Sequence, residues 1–253
     1  MIKIEQTQIW GFEHSLRGMR NPLNSWEKAD TIFIPESYAD DEEDYNLARL
    51  CAGKAPIIKE NDMRLCKRLA SNAASHRKFL RQIFISCDIT APILWWKEMD
   101  QYKIGTGETD FETDSCSTMH TIVSKEFSVD DFSYEHMNGK AYDWFKKTVD
   151  LLNELRNDYR SSLEVPYKKM IWRNIIDILP ECYNQKRTTT LNYEVAMNIY
   201  ASRKDHKLTE WHDMCHWIYE LPYFKEFWNA KKKEIDVPEF LCRHHGEPKH
   251  GND

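Results

Sequence analysis

Between Ile83 and Ile89 the chain alternates, with Ile83, Ile85, Cys87 and Ile89 on one side and Phe84, Ser86 and Asp88 on the other. A period of two is the mark of a strand with one buried face. The alternation breaks at Thr90-Ala91-Pro92, and Ile93-Leu94-Trp95-Trp96 follows. A capping hydroxyl and then a proline, whose missing N–H costs nothing in a first turn, open a helix that runs to about Lys103. A strand that passes straight into a helix commits the chain to a mixed fold.

A second junction lies further on. The β-branched run Thr188-Thr189-Thr190 feeds a helical stretch from Leu191 to Arg203. At roughly 100° per residue, Val195, Ala196, Ile199 and Tyr200 share one face, and Asn192 and Arg203, three turns apart, fall on it too. A guanidinium and an amide on an apolar face need partners, because burying them unpaired costs several kcal/mol. Two readings stay open. Asn192 can be an N-cap and Arg203 a last-turn cation favoured by the helix dipole, or both can serve a ligand that carries acceptors and negative charge.

Composition narrows the classes. With 253 residues, 41% hydrophobic and 30% charged, the chain is long enough for a sizeable core. The formal net charge of −6 argues against broad nucleic-acid binding, which needs a basic face. A local pocket for one phosphate remains open. The seven cysteines are scattered without CxxC spacing and read as reduced thiols of a cytoplasmic protein. Met1-Ile2-Lys3-Ile4-Glu5 has no apolar leader, so no signal peptide is expected. No apolar run approaches membrane length, so no membrane partner is expected. Gly105-Thr106-Gly107 lacks the rest of any phosphate-cradling glycine motif.

The remaining elements follow from periodicity. Helical spacing marks Glu60 to Ser75, Gly139 to Ser161, Pro166 to Ile178, Leu208–Glu220 and Tyr223–Lys233. Ile104 to Asp131 is polar and irregular and predicts one long loop. The acidic run Asp40-Asp41-Glu42-Glu43-Asp44 predicts a solvated loop or helix start, and the tail His244–Asp253 a frayed end. With no repeat and no linker, the chain is expected to be a single α+β domain, with helices packed on a central, mostly antiparallel sheet.

Three kinds of chemistry are available to these residues. His212, Cys215 and His216 share a helical face and could combine with Cys242, His244 and His245 in a zinc site, although the spacing matches no common finger. A partly buried His/Cys face flanked by Trp211 and Trp217 is the simpler reading, and no metal is assigned. Cys116 lies near His120 in the long loop, but no orienting third group is visible. Arg17, Arg20, His76, Arg77, Lys103, Lys186, Arg187 and Arg203 sit at element ends and could grip phosphate or carbonyl groups.

Taken together, Ser75-His76-Arg77-Lys78-Phe79 before the strand, Thr90-Ala91-Pro92-Ile93-Leu94 at its end, and Leu179-Pro180 through Asn192, Asn198 and Arg203 resemble the flavin-dependent thymidylate synthases. The resemblance covers His76–Lys103 and Ile171–Arg203 well and the rest loosely. It implies an α+β fold in a homotetramer with active sites at subunit contacts. In such an enzyme FAD carries a one-carbon unit from methylenetetrahydrofolate to dUMP, and NADPH supplies the hydride.

The resemblance also implies residue roles. Arg203 binds the uracil edge and favours the ionised base, an electrostatic form of catalysis. His76, Asn192 and Asn198 contact flavin, with Asn198 pointing about 240° away from Asn192 toward a different subunit's site. The family's Arg-His-Arg motif falls on Gln101-Tyr102-Lys103, where only Lys103 keeps a charge for the cofactor. The substrate loop runs from Thr106-Gly107-Glu108 to Ser115-Cys116-Ser117, so Glu108, Ser115 and Ser117 stand as substrate contacts, in a loop without arginine. A family arginine on the late helix falls on Glu194. The alternative is a catalytically inactive protein of this fold that binds a nucleotide or another partner.

Overall fold

The structure, a computed structural model, describes residues 2–33, 55–102, 111–115 and 118–235. Its elements in chain order are β1 (Lys3–Trp10), α1 (Phe12–Gly18), α2 (Glu60–Ala70), β2 (Phe84–Pro92), α3 (Ile93–Met99), β3 (Phe111–Ser115), α4 (Thr118–Thr121), α5 (Gly139–Ser161), α6 (Val165–Ile178), β4 (Asn184–Asn192), α7 (Tyr193–Arg203), α8 (Thr209–Tyr219) and α9 (Phe224–Ile235). They fall into two compact units, Met1–Trp10 with Phe84–Ile218, and Gly11–Ile83 with Tyr219–Asp253. The chain has an α+β fold, as expected from the sequence.

The first unit is built on a four-stranded sheet of order β1-β2-β4-β3 with every pairing antiparallel. The alternation in β2 does what its period requires. Ile85, Cys87, Ile89 and Ala91 are buried, while Phe84, Ser86, Asp88 and Thr90 are half-buried. Ile85 pairs with Leu191 and Cys87 with Thr189, so β4 adds two buried side chains to the same face. The other face is polar. Thr188 Oγ1 donates to Asp88 Oδ1 at 2.8 Å, and Lys186 Nζ lies 2.9 Å from Asp88 Oδ2. Lys186 and then Thr188 hold the Asp88 carboxyl below its usual range.

Both strand-to-helix junctions form. Pro92, with φ −67°, closes β2 and precedes α3, which buries Trp95, Trp96 and Met99. Regular helix ends at Met99 rather than near Lys103, and a 3₁₀ turn carries the chain over Asp100–Tyr102. β4 runs through Asn192 directly into α7. That helix is buried at Tyr193, Glu194, Val195, Ala196, Met197 and Ile199. Its first half is therefore enclosed nearly all round, whereas the spacing alone suggested a single apolar face.

One expectation is corrected. The long polar segment is not one irregular loop, because Phe111–Ser115 forms the edge strand β3 on β4, and Thr118–Thr121 makes one helical turn. The strand is polar, so no hydrophobic period announces it; the neighbour β4 satisfies its backbone. Likewise β1 is an edge strand whose pairing with β2 shifts between Glu5 and Gln8, and Gln6 adopts φ 54° at this bulge.

The hairpin of α5 and α6 closes the unit at its own core. Phe145, Val149 and Leu152, at helical spacing on α5, pack with Ile171 and Ile175 of α6 and with Ile122, Phe127 and Phe132.

The second unit holds α1, α2 and α9. Phe79 meets Phe227 edge-on with ring centroids 5.6 Å apart. Ser15 Oγ donates to the Phe79 carbonyl at 2.7 Å. Tyr223, with φ 59°, donates from its hydroxyl to the Pro56 carbonyl at 2.6 Å and accepts from the Ile58 N–H at 3.1 Å.

Candidate functional site

Arg203 closes the last turn of α7, and three other elements converge on it. Its Nη1 donates to Glu98 Oε2 of α3 at 3.0 Å, and its Nε to the Tyr102 hydroxyl at 3.0 Å. The guanidinium lies 4.6 Å from the centroid of the Trp211 ring of α8, a cation–π distance. Glu98 Oε2 also accepts from Trp211 Nε1 at 2.7 Å, and His206 Nε2 stands 3.5 Å away. His206 Nδ1 accepts the Leu208 N–H at 3.2 Å, which leaves Nε2 facing Glu98.

The electrostatic result is a compensated pair. The side chains of Arg203 and Glu98 are 12% and 31% exposed, so the pair is shielded from water but not sealed off. A guanidinium has five N–H groups. Nε and Nη1 are engaged, and Nη2 makes no hydrogen bond among the described residues. A donor on a cation whose charge is already balanced suits a neutral acceptor such as a ring carbonyl better than a free anion.

The capping reading of Asn192 holds in the structure. Its Oδ1 accepts the Val195 N–H at 3.0 Å at the start of α7. The amide Nδ2 is enclosed and has no hydrogen-bond partner among the described residues. Asn198, half-buried, lies six residues along the same helix, and Glu194 is 2% exposed. The first unit thus carries Asn192, Asn198 and Arg203 on one helix and its cap. His76 belongs to the second unit, where it is exposed and lines a cleft of about 670 Å³ with Ser75, Lys78 and Phe79. Ser115 ends β3 opposite Arg187. Lys103, Glu108 and Ser117 lie outside the described residues, as do the acidic run, the tail and Cys116.

Other candidate cations are engaged elsewhere. Arg20 is 3% exposed and bound to Asp62, and Arg17 Nη2 is 2.9 Å from His14 Nδ1. Arg187 donates to Asp100 and Gln185 and lies 4.3 Å over the Trp96 ring. On α8, His212 and His216 are exposed while Cys215 is buried. No group of three or more metal-ligating side chains is gathered among the described residues. Burial pushes the Cys215 thiol up to about 12, although Arg203 pulls it the other way.

Glu98, Tyr102, His206 and Trp211 were not singled out from the sequence as partners of Arg203. Glu98 and Tyr102 are one helical turn apart, which is the one local signal that they share a face.

No family model matches this chain, and no curated protein matches it. Solved structures do. Thymidylate Synthase X (ThyX) from Helicobacter pylori with FAD and dUMP is 15% identical, with a TM-score of 0.58 over 94% of this chain and 100% of that one. A second structure of flavin dependent thymidylate synthase ThyX from the same organism, complexed with FAD and dUMP, is also 15% identical with a TM-score of 0.58, over 90% of this chain and 99% of that one. At this identity the likeness establishes a shared fold.

Proposed function

We propose that this chain is a divergent flavin-dependent thymidylate synthase-like enzyme that transfers a one-carbon unit from methylenetetrahydrofolate to dUMP. The observation that carries the reading is Arg203, a partly buried guanidinium braced by Glu98, Tyr102 and Trp211, with Nη2 unengaged among the described residues. That donor would bind a carbonyl of the uracil ring, and in a shielded site it would stabilise charge developing there. Bracing on two sides fixes the donor before substrate arrives, so little ordering cost falls on binding.

The reaction needs a flavin. Asn192 Nδ2 is a donor without a partner among the described residues, and Asn198 on the helix it caps is half-buried, so this segment carries amide groups suited to a flavin edge. With His76 and Lys103 these residues would hold FAD. When bound, FAD supplies the one-carbon carrier and redox chemistry, with NADPH as hydride source. Among the described thiols, Cys66, Cys87 and Cys215 are poor candidates for attack on the pyrimidine: burial pushes Cys87 and Cys215 up to about 12 and Cys66 higher still. Glu108, Ser115 and Ser117 would face the nucleotide. A cytoplasmic homotetramer with its sites at subunit contacts completes the proposal.

Titration calorimetry with dUMP tests it. Arg203→Ala is expected to weaken binding by roughly 2–5 kcal/mol, the range for losing one partner of a buried charged contact. Arg203→Lys should recover only part, because an ammonium cannot reproduce the braced fork. Unchanged affinity in a folded Arg203→Ala variant would remove the assignment.

A second reading is a nucleotide-binding protein without turnover. It is favoured by Glu98, whose carboxylate already takes Nη1 of Arg203, and by Gln101, whose Nε2 donates to the Glu98 carbonyl at 2.6 Å where the family motif carries a cation. Formation of dTMP would exclude it.

A further inference from the structure

The second unit carries a cationic cleft whose lining includes none of the residues assigned above to substrate or flavin. Arg64, Lys67 and Arg68 are exposed on α2. Arg64 and Arg68, one turn apart, line a cleft of about 490 Å³ together with Asn61, Leu65, Arg20, Leu23, Ser25 and Lys28.

The base of this cleft is rigid and electrically closed. Arg20 donates from Nε to Asp62 Oδ1 at 2.7 Å, from Nη2 to the Lys28 carbonyl at 2.9 Å and from Nη1 to the Ser25 carbonyl at 3.1 Å. Its Nη2 also lies 2.6 Å from Asp62 Oδ1. Asp62 Oδ2 accepts from the Thr31 hydroxyl at 2.6 Å and from the backbone N–H groups of Thr31 and Asp30 at 2.9 and 3.1 Å. These bonds fix the turn that presents Lys28, and they consume the charge of Asp62. It is not left over to neutralise the outer cations.

Among the described residues no carboxylate pairs with those outer cations. Arg64 Nη2 donates to Asn61 Oδ1 at 2.6 Å, and the side chains of Lys28 and Arg68 make no hydrogen bond or ion pair among the described residues. Three like charges around one concavity repel one another, and in a chain of net charge −6 this clustering runs against the overall balance. An anion in the cleft relieves the repulsion.

Geometry selects the anion. Residues one turn apart on a helix have Cβ atoms about 5–6 Å apart, so two planar guanidinium groups are rooted within reach of one ligand. Two forks match two linked phosphates better than one. Lys28, which also lines the cleft, adds a point charge.

We propose that the cleft of Lys28, Arg64 and Arg68 binds a diphosphate group, free or esterified. Arg68 also lines the adjoining cleft of about 670 Å³, beside Leu69 and Phe79, where the organic part of a diphosphate ester has room.

Calorimetry on the full chain tests this with pyrophosphate, orthophosphate and ADP. Pyrophosphate is expected to bind at least about tenfold more tightly than orthophosphate, and Arg64→Gln and Arg68→Gln each to weaken it about tenfold. Lys67→Gln, outside the cleft lining, is expected to leave pyrophosphate affinity unchanged. ADP binding more tightly than pyrophosphate identifies an ester as the ligand; equal binding identifies free pyrophosphate. The proposal is overturned if pyrophosphate binds no better than orthophosphate, or if the Arg64→Gln/Arg68→Gln double variant, folded by circular dichroism, still binds it. Pyrophosphate binding is expected to survive Arg203→Ala, so failure here is distinguishable from failure of the dUMP reading.

Discussion

Replacing Glu98 with glutamine keeps an acceptor oxygen beside Trp211 Nε1 and removes the charge that holds Arg203. In the native protein Arg203 Nη1 donates to Glu98 Oε2 at 3.0 Å, and the two side chains are 12% and 31% exposed. A hydrogen bond to an ionised group contributes about 1.5–3 kcal/mol, and a neutral one about 0.5–1.5 kcal/mol. The variant should therefore lose about 1–2 kcal/mol of stability, a fall in Tm of about 2–8 °C for a chain of this size. Nucleotide binding should move the other way. With the internal carboxylate gone, Nη1 can turn to the ligand and the positive charge is no longer balanced. The gain of one charge-assisted contact, discounted for the loosened brace, tightens dUMP binding by roughly tenfold. Thermal unfolding by circular dichroism and calorimetric titration with dUMP read the two effects separately. A folded variant with lower Tm and unchanged or weaker dUMP affinity would refute the idea that Glu98 competes for Arg203.

Three further outcomes follow from the packing. Asp62→Ala leaves Arg20 buried without a counter-charge and should cost about 3–5 kcal/mol in urea unfolding, whereas a loss below about 1 kcal/mol would contradict the pair's role. Burial alone would raise the Asp62 carboxyl, but bonds from Thr31, Asp30 and Arg20 bring it below its usual 3.8. Its folded value thus lies under its unfolded one, so the stabilisation is complete above that pH and is lost as pH falls through the folded value; the acid limb should be missing in Asp62→Asn. Asn192→Ala removes the α7 cap at a cost of about 1 kcal/mol in the same assay, and Asn192→Ser should restore most of it. Alkylation at pH 8 followed by peptide mass mapping should find Cys87 and Cys215, both pushed up to about 12, modified only after unfolding; rapid labelling of either in the native protein would contradict their burial.

What could be read from the sequence depended on how local the cause was. β2 declared itself because a strand with one buried face must alternate, and α5 because Phe145, Val149 and Leu152 all meet the same core at helical spacing. β1 and β3 gave no such signal. Both lie at sheet edges and are largely polar, and β1 is interrupted by the bulge at Gln6, so their pairing is fixed by the neighbouring strand instead. The helix Tyr193–Arg203 was visible, yet spacing alone could not say that Asn192 sits at its cap rather than on its face. Arg203 stood out as a cation near an apolar surface. Its partners Glu98 and Tyr102 stand about a hundred positions earlier, and only the packing of α3 against α7 and α8 brings them to it.

The central claim is that this fold still works a flavin on a uracil nucleotide. Its most direct measurement follows the absorbance of the protein incubated with FAD as NADPH, methylenetetrahydrofolate and dUMP are added without oxygen, with dTMP assayed at the end. The account predicts flavin retained by the protein after gel filtration, bleaching on reduction, and dTMP formed in the wild type but not in Arg203→Ala. A wild-type protein that retains no flavin and yields no dTMP would contradict it.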